Sequence, residues 1–403
     1  MRRLRIALVS AYPPSRRPLS EYAWHLVQGL RNNPRVEHVD VLADRWVETP
    51  PSSDDCVTVH RCWSFSGIDQ PIVVARAARR LKVDAIWFNL HLTSAGNTRA
   101  SWFAGLAAPA AARSAGLVTI VTLHNMLGCT DVRYAGPETN RADRLGAHLA
   151  TSLLAAANVV CVLVPEYAAL LQSQYGLRRV RVMPHGTLGS PVASPPLDVR
   201  GRHPLVAFGH FGSYKRLDDL MEVMADFAAS DVDIRLQIAG MDSRHTPGYL
   251  ARLQQRYRDL ANVTFVGYVP EAEVPAFFRA SACVLPYATT TGSSGVAIQS
   301  AMYGVPIVAS DAPGFRWLER NGMRMTFFEW GRKDSLKETI LRVLANPGLR
   351  FGDACHNLAY CRRQSMDVVV DRYLDVIEEA LVGDRRSSVA AEGVEAPLPV
   401  APR

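Results

Sequence analysis

Short apolar, β-branched runs recur along this chain at residues 6–10, 39–42, 57–60, 85–90, 118–123, 159–164 and 180–183, most of them separated by stretches with helical spacing. Strand, helix, strand in that order builds a parallel sheet, because parallel neighbours need a crossover connection and the helix supplies it. A second series follows at 205–209, 234–239, 263–266, 282–286, 306–309 and 326–328. Between the two series, residues 188–204 hold Pro191, Pro195, Pro196 and Pro204 and keep neither a helical nor a strand period, which is a linker composition. The fold class expected is therefore α/β, with two Rossmann-like doubly wound domains facing across a cleft. The N-terminal domain covers 1–187, the linker 188–204, the second domain 205–365 and a closing helix 366–382. Residues 383–403, with Pro397, Pro399 and Pro402, read as a disordered tail. At 403 residues the chain is long enough for two buried cores.

In parallel sheets ligands bind beyond the carboxyl ends of the strands. In the first half this points to the loops after Ser10, Leu90 and Leu123; the second begins at His91 and the third holds His124-Asn125. Ser20 is a candidate N-cap for a helix in which Tyr22, Leu26, Val27 and Leu30 form the apolar stripe.

In the second half the stretch from Pro286 to Ala301 reads as a strand end, a loop and a helix start. Thr289, Thr290, Thr291, Gly292, Ser293, Ser294 and Gly295 fill that loop with small and hydroxyl residues, so the backbone can approach a ligand closely. The first N–H groups of a helix lack partners inside it and carry partial positive charge, so an anion suits the place. Lys215 and Arg216 follow the loop after the first strand of this domain, a point charge and a fork that both suit phosphate oxygens.

The formal net charge is +7, and arginine clusters at Arg2-Arg3 with Arg5, Arg16-Arg17, Arg76 with Arg79-Arg80, and Arg178-Arg179 with Arg181. Such a surface attracts nucleotides, nucleic acids or anionic lipid. No RNA-binding aromatic pattern or zinc-finger spacing accompanies it, so nucleic acid is not the expected partner. Most of these arginines are expected on solvated helix faces. The seven cysteines are scattered, without a CxxC, which fits a reducing, cytoplasmic compartment. No window approaches the roughly 20 apolar residues of a membrane span. Asp231-Val232-Asp233 is the only DxD and reads as a turn before a strand, so no metal is implied.

With these pieces in order the chain resembles the retaining glycosyltransferases of family 4, which have the GT-B fold. The resemblance rests on Tyr12-Pro13-Pro14, Thr122-Leu123-His124-Asn125, Met183-Pro184-His185-Gly186, Phe208-Gly209 through Tyr214-Lys215-Arg216-Leu217-Asp218, Ile238-Ala239-Gly240, Phe265-Val266-Gly267-Tyr268-Val269 and Gly304-Val305-Pro306-Ile307-Val308-Ala309-Ser310. It implies transfer of a hexose, with retention, from a nucleoside-diphosphate sugar to a carbohydrate or lipid-linked acceptor, in surface polysaccharide biosynthesis. The donor is a co-substrate, and no cofactor or metal is implied.

The same resemblance implies roles for particular residues. Lys215 and Arg216 would meet the diphosphate, and His124 the donor sugar. Gly209 and His210 would lie beside the donor. Tyr268-Val269 and Leu285-Pro286 would flank the base, Thr291, Gly292, Ser293, Ser294, Gly295 and Val296 the diphosphate or sugar, and Gln299 the ribose. Ser20, Glu21, His91 and Asn125 would stand on the acceptor side. Peripheral contact with the inner face of the cell membrane stays open. Three features depart from the family pattern. Thr291 and Gln299 stand where two glutamates eight residues apart are usual, Pro18-Leu19-Ser20 replaces a glycine pair, and His210 replaces an arginine. They keep two alternatives in view: a nucleotide-sugar epimerase of the same fold, and a non-catalytic sugar-nucleotide-binding module.

Overall fold

The computed structural model describes residues 2–17, 19–45, 54–126, 141–195, 203–230, 232–243, 246–289 and 293–392, with the side chains of 142, 143, 203, 204 and 385–392 left aside. Pro18, Cys129, Asp231, Thr290, Thr291, Gly292 and residues 393–403, all of which bear on the expectations above, lie outside the described residues.

The described residues form two compact units: those within 1–124, 145–183 and 369–392 in the first, and those within 125–144 and 184–368 in the second. The first holds seven parallel strands, β1 (Leu4–Val9), β2 (Val36–Asp44), β3 (Val57–Trp63), β4 (Ala85–Leu90), β5 (Val118–Leu123), β6 (Val159–Val162) and β7 (Val180–Val182), in the order β3-β2-β1-β4-β5-β6-β7. The two central strands β4 and β5 are buried at every position. Helices cover both faces of such a sheet, which is why these strands read as unbroken apolar runs.

The Ser20–Arg31 helix buries Tyr22, Leu26, Val27 and Leu30, as the spacing predicts. Its cap is not Ser20. Leu19 turns the chain in a left-handed conformation (φ 69°) with no side-chain cap bond, so Ser20 becomes the first helical residue. Its hydroxyl is buried there without a partner.

The closing helix runs Met366–Glu392, ten residues past the expected end, and residues 383–392 are helical rather than tail. Side chains explain the difference. Val369, Val370, Tyr373, Leu374 and Ile377 are fully buried, and the Tyr373 ring lies 4.3 Å from that of Trp87 in β4. Asp384 then pairs with Arg113 at 2.6 Å and accepts from Asn158 at 3.3 Å. The helix thus belongs to the first unit, although it follows the second in sequence.

The second unit holds β8 (His203–Phe211), β9 (Ile234–Asp242), β10 (Val263–Gly267), β11 (Ala282–Leu285), β12 (Ile307–Ser310) and β13 (Thr326–Phe328), all parallel, in the order β10-β9-β8-β11-β12-β13. Two apolar clusters pack this unit. One is built around Leu285, Ile298 and Phe315, the other around Leu220, Met224 and Ile340. Residues at the start of the expected linker are pinned here: the Thr187 N–H donates to the Gln364 carbonyl at 3.1 Å, and the Val192 N–H to that of Met302 at 3.0 Å.

Candidate active site

In the second unit the site is organised by two glycines side by side at the ends of β8 and β9. Gly209 (φ +113°) pairs with Gly240 (φ +139°), and a Cβ on Gly240 would stand 1.8 Å from the Gly209 carbonyl oxygen. Only residues without a side chain allow that approach. A Cβ on Gly209 would in turn meet Lys215 Nζ at 3.1 Å and Val296 Cγ2 at 3.2 Å. The ammonium of Lys215 therefore lies against the β8 backbone, beside the first turn of the Gly295–Met302 helix.

A short helical turn, Ser213–Lys215, delivers that lysine, and its N–H donates to the Gly212 carbonyl at 2.9 Å. Lys215 is 5% exposed, with Nζ 4.8 Å from the ring centre of Tyr287 and 5.4 Å from that of Phe211. No hydrogen-bond or ion-pair partner for its ammonium occurs among the described residues. Burial pushes its pKa down to about 7.

The facing loop is tied to the same place. The Ala288 N–H donates to the Tyr214 carbonyl at 2.8 Å, and Ser310 Oγ donates to the Tyr287 carbonyl at 2.6 Å. Ser294 caps the Gly295–Met302 helix, its hydroxyl accepting from the Ala297 N–H at 3.3 Å. Ser293, Gly295 and Val296 are half-buried around that start. Gln299, one turn on, is 7% exposed and makes no side-chain hydrogen bond among the described residues. A cation, a helix N-terminus and a buried amide thus share one corner, which is chemistry for a phosphate with a polyol beside it.

The other residues expected at the donor differ in their surroundings. Arg216 sits in the left-handed region (φ 48°) and forks onto Asp219, Nε–Oδ2 at 3.0 Å and Nη2–Oδ1 at 2.6 Å, so its guanidinium is turned along its own helix. His210 is exposed. Tyr268 is 52% exposed, whereas Val269 and Leu285 are buried in the core and Pro286 is buried as well. His185 received no role from the sequence beyond its place in a motif. Its Nε2 lies 4.0 Å from where a Gly295 Cβ would stand, and burial pushes its pKa down to about 4, so a neutral imidazole flanks the helix start.

In the first unit His124 follows β5 and is 7% exposed. Its Nε2 lies 2.7 Å from Asn89 Oδ1. An amide oxygen only accepts, so Nε2 carries the proton. Asn89 Nδ2 donates onward to Ser10 Oγ at 3.2 Å. The structure thus links the ends of β1, β4 and β5 through one chain of hydrogen bonds, and Tyr22 meets the imidazole edge-on at 4.8 Å. His91 folds onto its own loop, Nδ1 accepting from the Thr93 N–H at 3.3 Å. Glu21 is exposed and Asn125 half-buried.

Sequence reasoning missed the polar centre of this end of the unit. Asp44, fully buried at the end of β2, accepts from the Tyr12 N–H at 3.2 Å and Ser15 Oγ at 2.9 Å, and pairs with Arg17 and Arg61. Arg61 also donates to the carbonyls of Tyr12 and Pro13. Arg17, expected on a solvated face, instead helps fix the Tyr12-Pro13-Pro14 loop. An acid closing the apolar run Val41-Leu42-Ala43 was the available signal.

Two family descriptions match the sequence. "Glycosyltransferase Family 4" matches residues 19–187, and "Glycosyl transferases group 1" matches residues 202–346. Both units therefore carry glycosyltransferase signatures. Sucrose-phosphate synthase from Thermosynechococcus elongatus superposes with a TM-score of 0.73 at 16% identity, covering 94% of this chain and 100% of that one. The fold is GT-B. Anabaena HepE, solved in complex with UDP, shares this GT-B architecture with a TM-score of 0.65 at 15% identity, covering 94% of this chain and 100% of that one. WaaG, a glycosyltransferase involved in lipopolysaccharide biosynthesis, follows with a TM-score of 0.64 at 14% identity and coverages of 92% and 99%. No curated protein matches the sequence.

Proposed function

We propose that this GT-B protein transfers a hexose, with retention, from a nucleoside-diphosphate sugar to a carbohydrate or lipid-linked acceptor in surface polysaccharide assembly. The observation that carries the reading is Lys215: a buried ammonium with no hydrogen-bond or ion-pair partner among the described residues, set against Gly209 and the start of the Gly295–Met302 helix. Leaving a buried cation unpaired is costly, and an anionic ligand removes that cost. The leaving diphosphate is the group that fits. Its charge is met by Lys215 and the helix N-terminus, so transfer is expected to survive a metal chelator. Gln299 hydrogen-bonds the ribose, its amide able both to donate and to accept. Arg216, held by Asp219, shapes the turn that presents Lys215 and reaches phosphate only by releasing that pair. The acceptor is taken up by the first unit near the ends of β1, β4 and β5.

HepE has been solved in complex with UDP and, separately, with UDP-glucose, which makes uridine donors the first to test. The chain is incubated with UDP-hexoses, without and then with oligosaccharide or lipid-linked acceptors, and nucleotide release is followed. Acceptor-dependent release, with the donor's anomeric configuration kept in the product, is expected. Isomerised sugar without an acceptor, or binding without release across a full donor screen, would contradict the proposal.

A further inference from the structure

The arginines of residues 76–80 are left without a role by the donor site, and the structure shows their company. The Gln70–Leu81 helix buries Val74, Ala75 and Ala78 and turns Ile72, Arg76, Arg79 and Arg80 outward, at spacings that share one face. The Arg99–Ser114 helix buries Ala104, Leu106 and Ala108 and turns Arg99 and Phe103 outward, again one turn apart. These helices are neighbours: a Cβ on Gly105 would stand 3.3 Å from Gln70 Oε1. The loops that lead into them are joined too. The Ser66 N–H donates to the Ala95 carbonyl at 2.8 Å, and the Asn97 N–H to Ser66 Oγ at 2.9 Å.

Ile68, Ile72 and Phe103 are 69%, 55% and 41% exposed, so three large apolar side chains stand in water beside Arg76, Arg79, Arg80 and Arg99. Neither helix contains an aspartate or glutamate. Among the described residues Arg76, Arg79 and Arg80 have no ion-pair partner. Asp69, the one carboxylate in the joining loop, is half-buried. Solvated arginine alone would account for the charge but not for three large apolar side chains exposed on the same two helices and their joining loop, and the pairing of the two suits a partner that is anionic outside and apolar within.

We infer that this face docks on an anionic lipid bilayer, the arginines meeting headgroup phosphates while Ile68, Ile72 and Phe103 enter the acyl boundary. Basic residues flanking exposed aromatic and aliphatic side chains bind membranes through both terms, electrostatic attraction and apolar burial. The inference stands apart from the transfer reaction, since it requires neither donor nor acceptor.

Co-sedimentation of the full chain with phosphatidylcholine vesicles, with or without about one-third phosphatidylglycerol, tests it. The protein is expected to pellet with anionic and not with neutral vesicles, less so in high salt. Arg76→Gln with Arg80→Gln should lower partitioning about 25-fold, taking about fivefold per arginine. Ile72→Ser with Phe103→Ser should lower it at least about tenfold, with an unchanged thermal transition because these side chains are exposed. Absence of anionic-vesicle binding, or equal binding by the variants, would overturn the inference. So would loss of self-association in sedimentation velocity by the Ile72/Phe103 variant with vesicle binding intact, which would assign the face to a second copy of the chain.

Discussion

The strand ends of the two units solve opposite problems. In the first unit the main polar groups are answered from within: Asp44 by Arg17, Arg61, Ser15 and the Tyr12 N–H, and His124 by Asn89, itself tied to Ser10. In the second, Lys215 is just as deeply placed and lies near the rings of Tyr287 and Phe211, but makes no hydrogen bond or ion pair among the described residues, and the Gln299 amide in the same unit is idle as well. The closed network makes a rigid platform. On the proposed function, the open one is a binding site that an anion completes. A buried ion pair and a buried lone charge thus look alike by burial and differ in what their removal should do.

That difference predicts opposite signs. Asp44→Asn leaves two arginines uncompensated and should destabilise the first unit by about 3–5 kcal/mol, read by urea denaturation. A loss below about 1 kcal/mol would remove the network from the account. Lys215→Met removes the idle cation, and should lower transfer by about 10²–10³-fold while stabilising the ligand-free protein by about 1–3 kcal/mol. A variant that is both inactive and less stable would show that Lys215 is structural. His124→Ala is the milder change. If His124 meets the donor sugar as the family resemblance implies, its loss should lower turnover about tenfold and leave UDP affinity within about twofold, by titration calorimetry. If affinity and turnover fell together, His124 would be a binding contact only.

Much of the architecture was legible because strands buried on both faces announce themselves as apolar runs, and both sheets assemble from such runs. The motif that opens the Gly295–Met302 helix was legible for a similar reason: hydroxyl and glycine residues before an apolar helix leave few other readings. What escaped was non-local. Arg17 looks like any surface arginine until Asp44, 27 residues on, lies beside it. Arg216 looks like a second phosphate ligand until Asp219 takes its fork. The chain past 382 reads as tail from the prolines at 397, 399 and 402, although Tyr373 and Asp384 hold the helix through this point against residues from three earlier segments. That Lys215 has no hydrogen-bond or ion-pair partner among the described residues could be seen only from the folded chain.

The pH dependence of the lysine supplies the most direct measurement. Burial holds Lys215 near 7, against about 10.4 for a free lysine. Between those values the unfolded chain keeps the proton and the folded, ligand-free chain releases it, so ligand-free stability should rise with pH through that window. Diphosphate needs the charged form, so above pH 7 its binding must draw a proton back. Calorimetric titration of UDP near pH 8.5, in buffers of different ionisation enthalpy, reads that proton. The account predicts uptake approaching one proton per UDP in the natural protein, affinity falling by up to about tenfold per pH unit above 7, and both effects absent in Lys215→Met. Tight UDP binding with no proton uptake, unchanged in Lys215→Met, would contradict it.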